Sequence, residues 1–113
     1  VIELFNLLKI ARFPHSTEVE MQEAIAAFLK EKGFSFSKEH SFDAKNRVDF
    51  FIDGIAVECK VGGQPVRIHR QLERYAKFPE VKGIILMTSK YMKVQEKIND
   101  KPAMVIHVGR SWL

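Results

Sequence analysis

Apolar residues along this chain recur with two different periods, and the switches between them divide it into elements. At the start, Ile2, Phe5 and Leu8, together with Leu4, Leu7 and Ala11, fall at helical spacing, and Phe13-Pro14 ends the segment. A short helix this apolar either caps the core or packs on a partner. A second helix is expected from Ser16 or Thr17 to about Lys32. Thr17 and Glu20 have capping-box spacing, and Gly33 is a natural stop. Projected at about 100° per residue, Met21, Ile25, Phe28 and Leu29 form the inward stripe. Glu18 and Gln22 lie on the edge of that stripe, while Glu20 and Glu23 point away from it.

Beyond Gly33 the period shortens. Residues 34–42 alternate in part and read as a first strand. Apolar runs at 48–52 and 55–60 flank Asp53-Gly54, a strong two-residue turn signal, so they form a hairpin. Alternation then turns Glu58 and Lys60 to one face and Val57 and Cys59 to the other, with Asp49 across from them. Val61-Gly62-Gly63 breaks the pattern, and Pro65 opens a helix that runs to about Phe78, before Pro79. Residues 83–88 are nearly all apolar, as in a strand buried on both faces. Residues 90–99 resemble a lysine-rich surface helix, and 104–108 a final strand. The predicted order is α-α-β-β-β-α-β-α-β: one α/β domain over 1–113, with 1–14 as an N-terminal helical extension. A mixed sheet with helices on both faces is the natural packing.

Composition narrows the function classes modestly. The chain has 113 residues, a net charge of +4 and nine Phe. A mild basic excess is compatible with nucleic acid. One cysteine excludes an intramolecular disulfide and suits a reducing compartment. No apolar run approaches membrane-spanning length and no signal peptide is evident, so a cytoplasmic protein without a membrane partner is expected. Val1 suggests that the true start lies upstream. His15, His40, His69 and His107 show no compact zinc-ligand spacing. Cys59 alternates toward the core, and Gly62-Gly63 is too short for a phosphate loop.

The chemistry concentrates at the hairpin. Asp49 and Glu58 bring two carboxylates to one point, where they repel unless a cation joins them. Hard oxygen ligands suit Mg²⁺ or Mn²⁺. Lys60 beside such a metal can orient or activate a water for attack on phosphorus. An ordinary exposed salt-bridge cluster is the bland alternative, but strongly apolar flanks mean that a charge in their midst needs a partner or a purpose. Downstream, Arg67, Arg70 and Arg74 share one predicted helix, and arginine binds phosphate well through its planar fork.

D-x(8)-E-x-K on a hairpin resembles the core motif of the PD-(D/E)XK nuclease superfamily, with Val48 where the superfamily name has proline. Gln71-Leu-Glu-Arg-Tyr75 supplies a Q-x-x-x-Y similar to the helix motif of RecB-like nucleases, and viral replication-repair and archaeal Holliday junction resolvase-like members carry related arrangements. The likeness covers roughly residues 16–90. It implies a restriction-endonuclease-like core and a metal-dependent DNA nuclease of recombination or repair, from a bacterium, archaeon or phage, leaving 5′-phosphate. Asp49 and Glu58 would bind the metal. Glu18, or its competitor Glu20, would serve as the metal-binding glutamate of the first core helix. Gln71 would orient a water or Lys60, and Tyr75 would support the site or the DNA backbone. Gln22 could touch substrate.

So short a chain has little room for sequence-reading appendages. Structure-directed cleavage of branched, flapped or single-stranded DNA is therefore expected, with a homodimer as a possible means of cutting twice. The rivals are a non-catalytic DNA-binding or assembly module of the same fold and a generic α/β scaffold with exposed ion pairs.

Overall fold

The computed structural model describes residues 1–109. The elements are α1 (Ile2–Ile10), α2 (Glu18–Glu31), β1 (Ser37–Ser41), β2 (Arg47–Ile52), β3 (Ile55–Lys60), α3 (Pro65–Ala76), β4 (Gly83–Thr88), β5 (Lys97–Ile98) and β6 (Lys101–His107). The strands form one mixed sheet in the order β1-β2-β3-β4-β6-β5. β1, β2 and β3 run antiparallel, β3, β4 and β6 run parallel, and β5 pairs antiparallel with the edge of β6. The expected α/β layering holds, with one core on each face of the sheet. Among the described residues, no helix is long and apolar enough to cross a membrane.

On one face, Leu4 and Leu8 of α1 and Met21, Ile25 and Leu29 of α2 pack on Phe50, Ile52, Val57, Cys59, Ile85 and Met87. The N-terminal helix therefore belongs to the core. On the other face, Ile68, Leu72, Tyr75 and Ala76 of α3 cover Val48, Ala56, Ile84 and Leu86. β4 feeds both cores by strict alternation, Ile84 and Leu86 to one and Ile85 and Met87 to the other. This is the double burial expected of an unbroken apolar run.

The ends of α2 follow local chemistry. Thr17 caps it by accepting a hydrogen bond from the Glu20 N–H at 3.1 Å. At the other end Gly33 adopts φ 81°, and the N–H groups of Gly33 and Phe34 return to the carbonyls of Lys30 and Leu29. Phe34 is thus spent on this cap. That is why the first strand begins at Ser37 instead of residue 34.

The lysine-rich helix expected over 90–99 is not formed. Met92, Val94 and Ile98 turn inward at even intervals, a strand-like period hidden among polar neighbours. The His107 imidazole Nε2 lies 2.8 Å from the Met92 carbonyl oxygen, tying the segment to the last strand. Asn99 and Asp100, at φ 52° and 65°, then make a two-residue turn that returns Lys101 and Pro102 along β5. The last strand consequently starts at Lys101, three residues before the expected 104.

Asp100 pays a steric cost that glycine does not at such a φ. Asp100→Gly is expected to stabilise the protein by about 0.5–1 kcal/mol, raising the melting temperature by a few degrees. Calorimetry checks it. A fall in melting temperature would mean that residues 97–102 do not form this hairpin.

Candidate active site

Asp53 and Gly54, at φ 49° and 85°, close the hairpin as their sequence predicts. The register from that turn is regular: Ile52 faces Ile55, Phe51 faces Ala56, and Phe50 faces Val57. The next pair is Asp49 and Glu58, and there the ladder stops. Instead, Asp49 Oδ2 accepts a hydrogen bond from the Cys59 N–H at 2.8 Å, and Glu58 Oε1 accepts one from the Asp49 N–H at 3.2 Å. On the other side of β2 the pairing with β1 also skips Asp49 and its opposite number Glu39, which sits at φ 53°. The strand alternation slips at this point. Phe50 packs on the α2 side, whereas Val48, two residues away, packs on the α3 side.

Glu58 is only 3% exposed. It occupies the α3 face of β3 beyond Ala56, with Lys60 further along the same face, as alternation requires. Lys60 Nζ lies 3.3 Å from Glu58 Oε2. The strand exit behind Lys60 is pinned. The Ser89 N–H donates to the Lys60 carbonyl, Ser89 Oγ to that of Val61, and Lys90 Nζ to that of Gly63.

Helix α3 supports the acid from the other side. Gln71 Nε2 donates to Tyr75 Oη at 2.8 Å. Tyr75 Oη lies 2.7 Å from the Arg47 carbonyl and 3.4 Å from Glu58 Oε1. The hydroxyl has one proton for these two acceptors, and the shorter contact is to the carbonyl. Tyr75 is 1% exposed and faces inward. Of the two roles expected for it, support of the acidic site is the one its hydroxyl contacts show. Burial, then the charge of Glu58, raise the pKa of its phenol.

Of the two acids weighed on α2, Glu18 is half-buried and Glu20 is exposed at the helix cap. The negative charge of Glu18 acts on both Asp49 and Cys59, which puts it on the site's side of the helix. Gln22 is half-buried one turn further on. Arg67, Arg70 and Arg74 are exposed on the outer side of α3 and make no ion pair among the described residues. Cys59 is buried in the α2-side core, and burial followed by nearby carboxylates raises its thiol pKa.

The electrostatics are those of acids short of positive charge. Burial, above all, raises the pKa of Asp49, and Glu18 adds to the rise. Burial and then Asp49 push Glu58 up from its ordinary 4.5 to about 7. Lys60 opposes the rise at both carboxyls without cancelling it. A bound cation would supply the missing charge, and the donors are the hard oxygens that Mg²⁺ and Mn²⁺ prefer. Among the described residues, however, no group of three or more Asp, Glu, His or Cys side chains gathers closely enough to hold a metal alone. Asp49 and Glu58 therefore fit a cation that takes its remaining ligands from water, substrate or backbone, as Mg²⁺ commonly does.

A feature that the sequence reading passed over lies beside these acids. Lys45 and Asn46 of the β1–β2 connection and Arg47 at the start of β2 face Gln71 and Arg74 of α3 across a cleft of about 350 Å³. The available signal was Asp43-x-x-Asn46, a turn-forming spacing that encloses one cation, Lys45, and is followed by another, Arg47.

In comparisons with known proteins, no family model, no curated sequence and no solved structure matches the chain.

The raised pKa of Glu58 has a measurable sign. The unfolded chain loses this proton near 4.5 and the folded chain near 7. Folding stability should therefore fall as pH rises through that window, and stay lower above it. The effect is on the order of 3 kcal/mol at full ionisation. Glu58→Gln should flatten the fall and be the more stable protein at pH 8 in EDTA. Urea unfolding between pH 4 and pH 8 tests this; parallel profiles for the two proteins would contradict the assignment.

Proposed function

We propose that the protein is a divalent-metal-dependent nuclease that hydrolyses phosphodiester bonds in DNA, with the restriction-endonuclease-like arrangement its motifs suggest. One observation carries the reading: Asp49, Glu58 and Lys60 meet where the β2–β3 ladder opens, and the two acids there are short of positive charge. Asp49 and Glu58 would hold Mg²⁺ or Mn²⁺. When bound, the cation supplies Lewis acidity to a phosphodiester oxygen and lowers the pKa of a water. The protein's own groups do the rest. Lys60, freed from charge-pairing Glu58 once a cation takes that carboxylate, can position the attacking water and stabilise charge developing on phosphate. Gln71 and Tyr75 wall the site beside Glu58, with the Tyr75 hydroxyl 3.4 Å from its Oε1. Glu18 adds negative charge from α2.

Structure-directed cutting of branched, flapped or single-stranded DNA, in recombination or repair, is the form of the activity we favour. The described residues add only short connections to the sheet and its three helices, with no appended reading element. A non-catalytic DNA-binding module is the second reading. The Lys60–Glu58 ion pair favours it, since that pair already meets part of the need for positive charge.

Asp49→Asn and Glu58→Gln keep an acceptor oxygen for the strand contacts but remove the charge. Each should abolish Mn²⁺ binding in calorimetry without unfolding the protein. Unchanged binding in both would dismiss the metal site.

Lys60→Ala should retain Mn²⁺ and most DNA affinity yet lose cleavage by about 10²-fold or more, because its contribution lies in the transition state. Lys60→Arg should rescue poorly, since the guanidinium is bulkier and stays protonated. The assay is single-turnover cleavage of linear, single-stranded, flap and four-way-junction DNA with Mg²⁺ or Mn²⁺. Near wild-type cutting by Lys60→Ala removes the catalytic role. DNA binding without cutting of any substrate by the unmodified protein favours the binding module.

In the same assay Glu18→Gln should impair cleavage far more than Glu20→Gln. The reverse ranking would assign the helix acid to Glu20.

A further inference from the structure

The cleft between the β1–β2 connection and α3 is lined by three cations, Lys45, Arg47 and Arg74, and by no carboxylate. The nearest acid in sequence, Asp43, is committed elsewhere. Its carboxylate accepts hydrogen bonds from the N–H groups of Lys45 and Asn46 and from the Asn46 amide. Those bonds, with the Phe42 N–H donating to the Asn46 carbonyl at 2.8 Å, fix the shape of the loop. Arg74 is braced from below the cleft rim. Its Nε donates to Asn46 Oδ1 at 3.1 Å, and its terminal nitrogens make no hydrogen bond among the described residues. Neither ion pair of the described residues involves any of the three cations. The cleft also borders the acidic site. Gln71 and Tyr75 line it, and the Tyr75 hydroxyl reaches Glu58.

We propose that this cleft binds a backbone phosphate of the nucleic-acid strand, next to the phosphate presented to Asp49 and Glu58. The proposal deepens the nuclease reading and rests on it for the identity of the strand. Three chemical facts favour a nucleic-acid strand over an isolated small anion. Two guanidinium groups and an ammonium offer the fork-and-point-charge donors that phosphate oxygens take. Arg70 and Arg67 continue the line of Arg74 along the exposed side of α3. From Arg67 to Arg74 the helix advances about 10 Å, more than a single phosphate group spans. A row of this length matches a polyanion, whereas one anion needs only the cleft. Asn46 and Gln71 amides complete the lining without adding charge.

The test separates the cleft from the acidic site by working first without metal. Anisotropy of a labelled single-stranded 20-nucleotide DNA is measured in EDTA over a salt series. The proteins are the wild type, a Lys45→Ala/Arg47→Ala double variant and a Lys30→Ala/Lys38→Ala control. The control removes the same charge from a different hollow of the surface. The Arg47 carbonyl that receives Tyr75 is backbone and survives the substitution. The cleft variant should bind roughly tenfold more weakly, with its log–log salt slope reduced by about 1.4, and the control should stay near wild type. Equal loss in both double variants, or no loss in the cleft variant, overturns the proposal. So does a wild type that binds no oligonucleotide.

Cleavage of the same DNA with Mn²⁺ then distinguishes the two readings. If the wild type cuts and the cleft variant binds and cuts equally well, the cleft assignment fails and the nuclease stands. If the cleft variant loses binding while the wild type never cuts, the cleft is upheld and the nuclease reading fails.

Discussion

The structure turns on the reciprocal grip between Asp49 and the strand that carries Glu58. In an unbroken antiparallel ladder, backbone carbonyls would receive the N–H groups at this position. Here the side-chain carboxylates receive them, at 2.8 Å for Cys59 and 3.2 Å for Asp49. The strands can therefore part without orphaning buried donors. The same bonds fix both carboxylates in the gap. Val57 and Cys59 anchor β3 in the α2-side core, so the freedom of the wedge is small. A carboxylate here is both a ladder substitute and a charged group. Its structural and chemical contributions separate only when the oxygen is kept and the charge removed.

Much of this was legible because one turn governs it. Asp53-Gly54 announces a two-residue hairpin, and that register alone places position 49 opposite position 58. Lys60 follows by alternation. The helix stripe of α2 likewise separates Glu18 from Glu20, because burial of Met21, Ile25 and Leu29 sets the helical phase. What failed was local competition between periods. Residues 90–99 carry enough lysine to resemble a solvated helix, while the inward positions of Met92, Val94 and Ile98 follow the strand period. The Asn99-Asp100 turn was the better signal, since its positive φ values suit these residues more than most. The slip of alternation at Asp49 was hidden for a different reason. A side chain that replaces a ladder bond leaves no trace in the hydrophobic pattern. The basic cleft was hidden because it joins residues 45–47 to residue 74, which only the packing of α3 brings together.

Helix α3 links the two kinds of charge. Ile68, Leu72, Tyr75 and Ala76 seat it on the sheet, and Arg67, Arg70 and Arg74 remain on its solvent side. Gln71 lies between, half-buried, with its amide on Tyr75. One turn of helix thus reaches from a buried phenol beside Glu58 to a guanidinium at the cleft. A shift of α3 that loosened Tyr75 would move Arg74 with it, so the acid and the basic surface keep a common frame.

The two charge sets also differ in what they cost the fold. Lys45, Arg67, Arg70 and Arg74 stand in water, where charge is well solvated and weakly coupled. Glu58 stands in a core row with Ala56 and Val48 as apolar neighbours on the same face. An apolar residue there would meet no desolvation penalty, and buried ionic groups are commonly worth less to stability than such replacements. Lys60 and the Asp49 N–H reduce the penalty but leave the acid's pKa near 7. Packing therefore gives no reason for a carboxylate at position 58. Under the proposed nuclease reading the charge has a use, because a carboxylate only partly matched by one ammonium can exchange its proton for a cation.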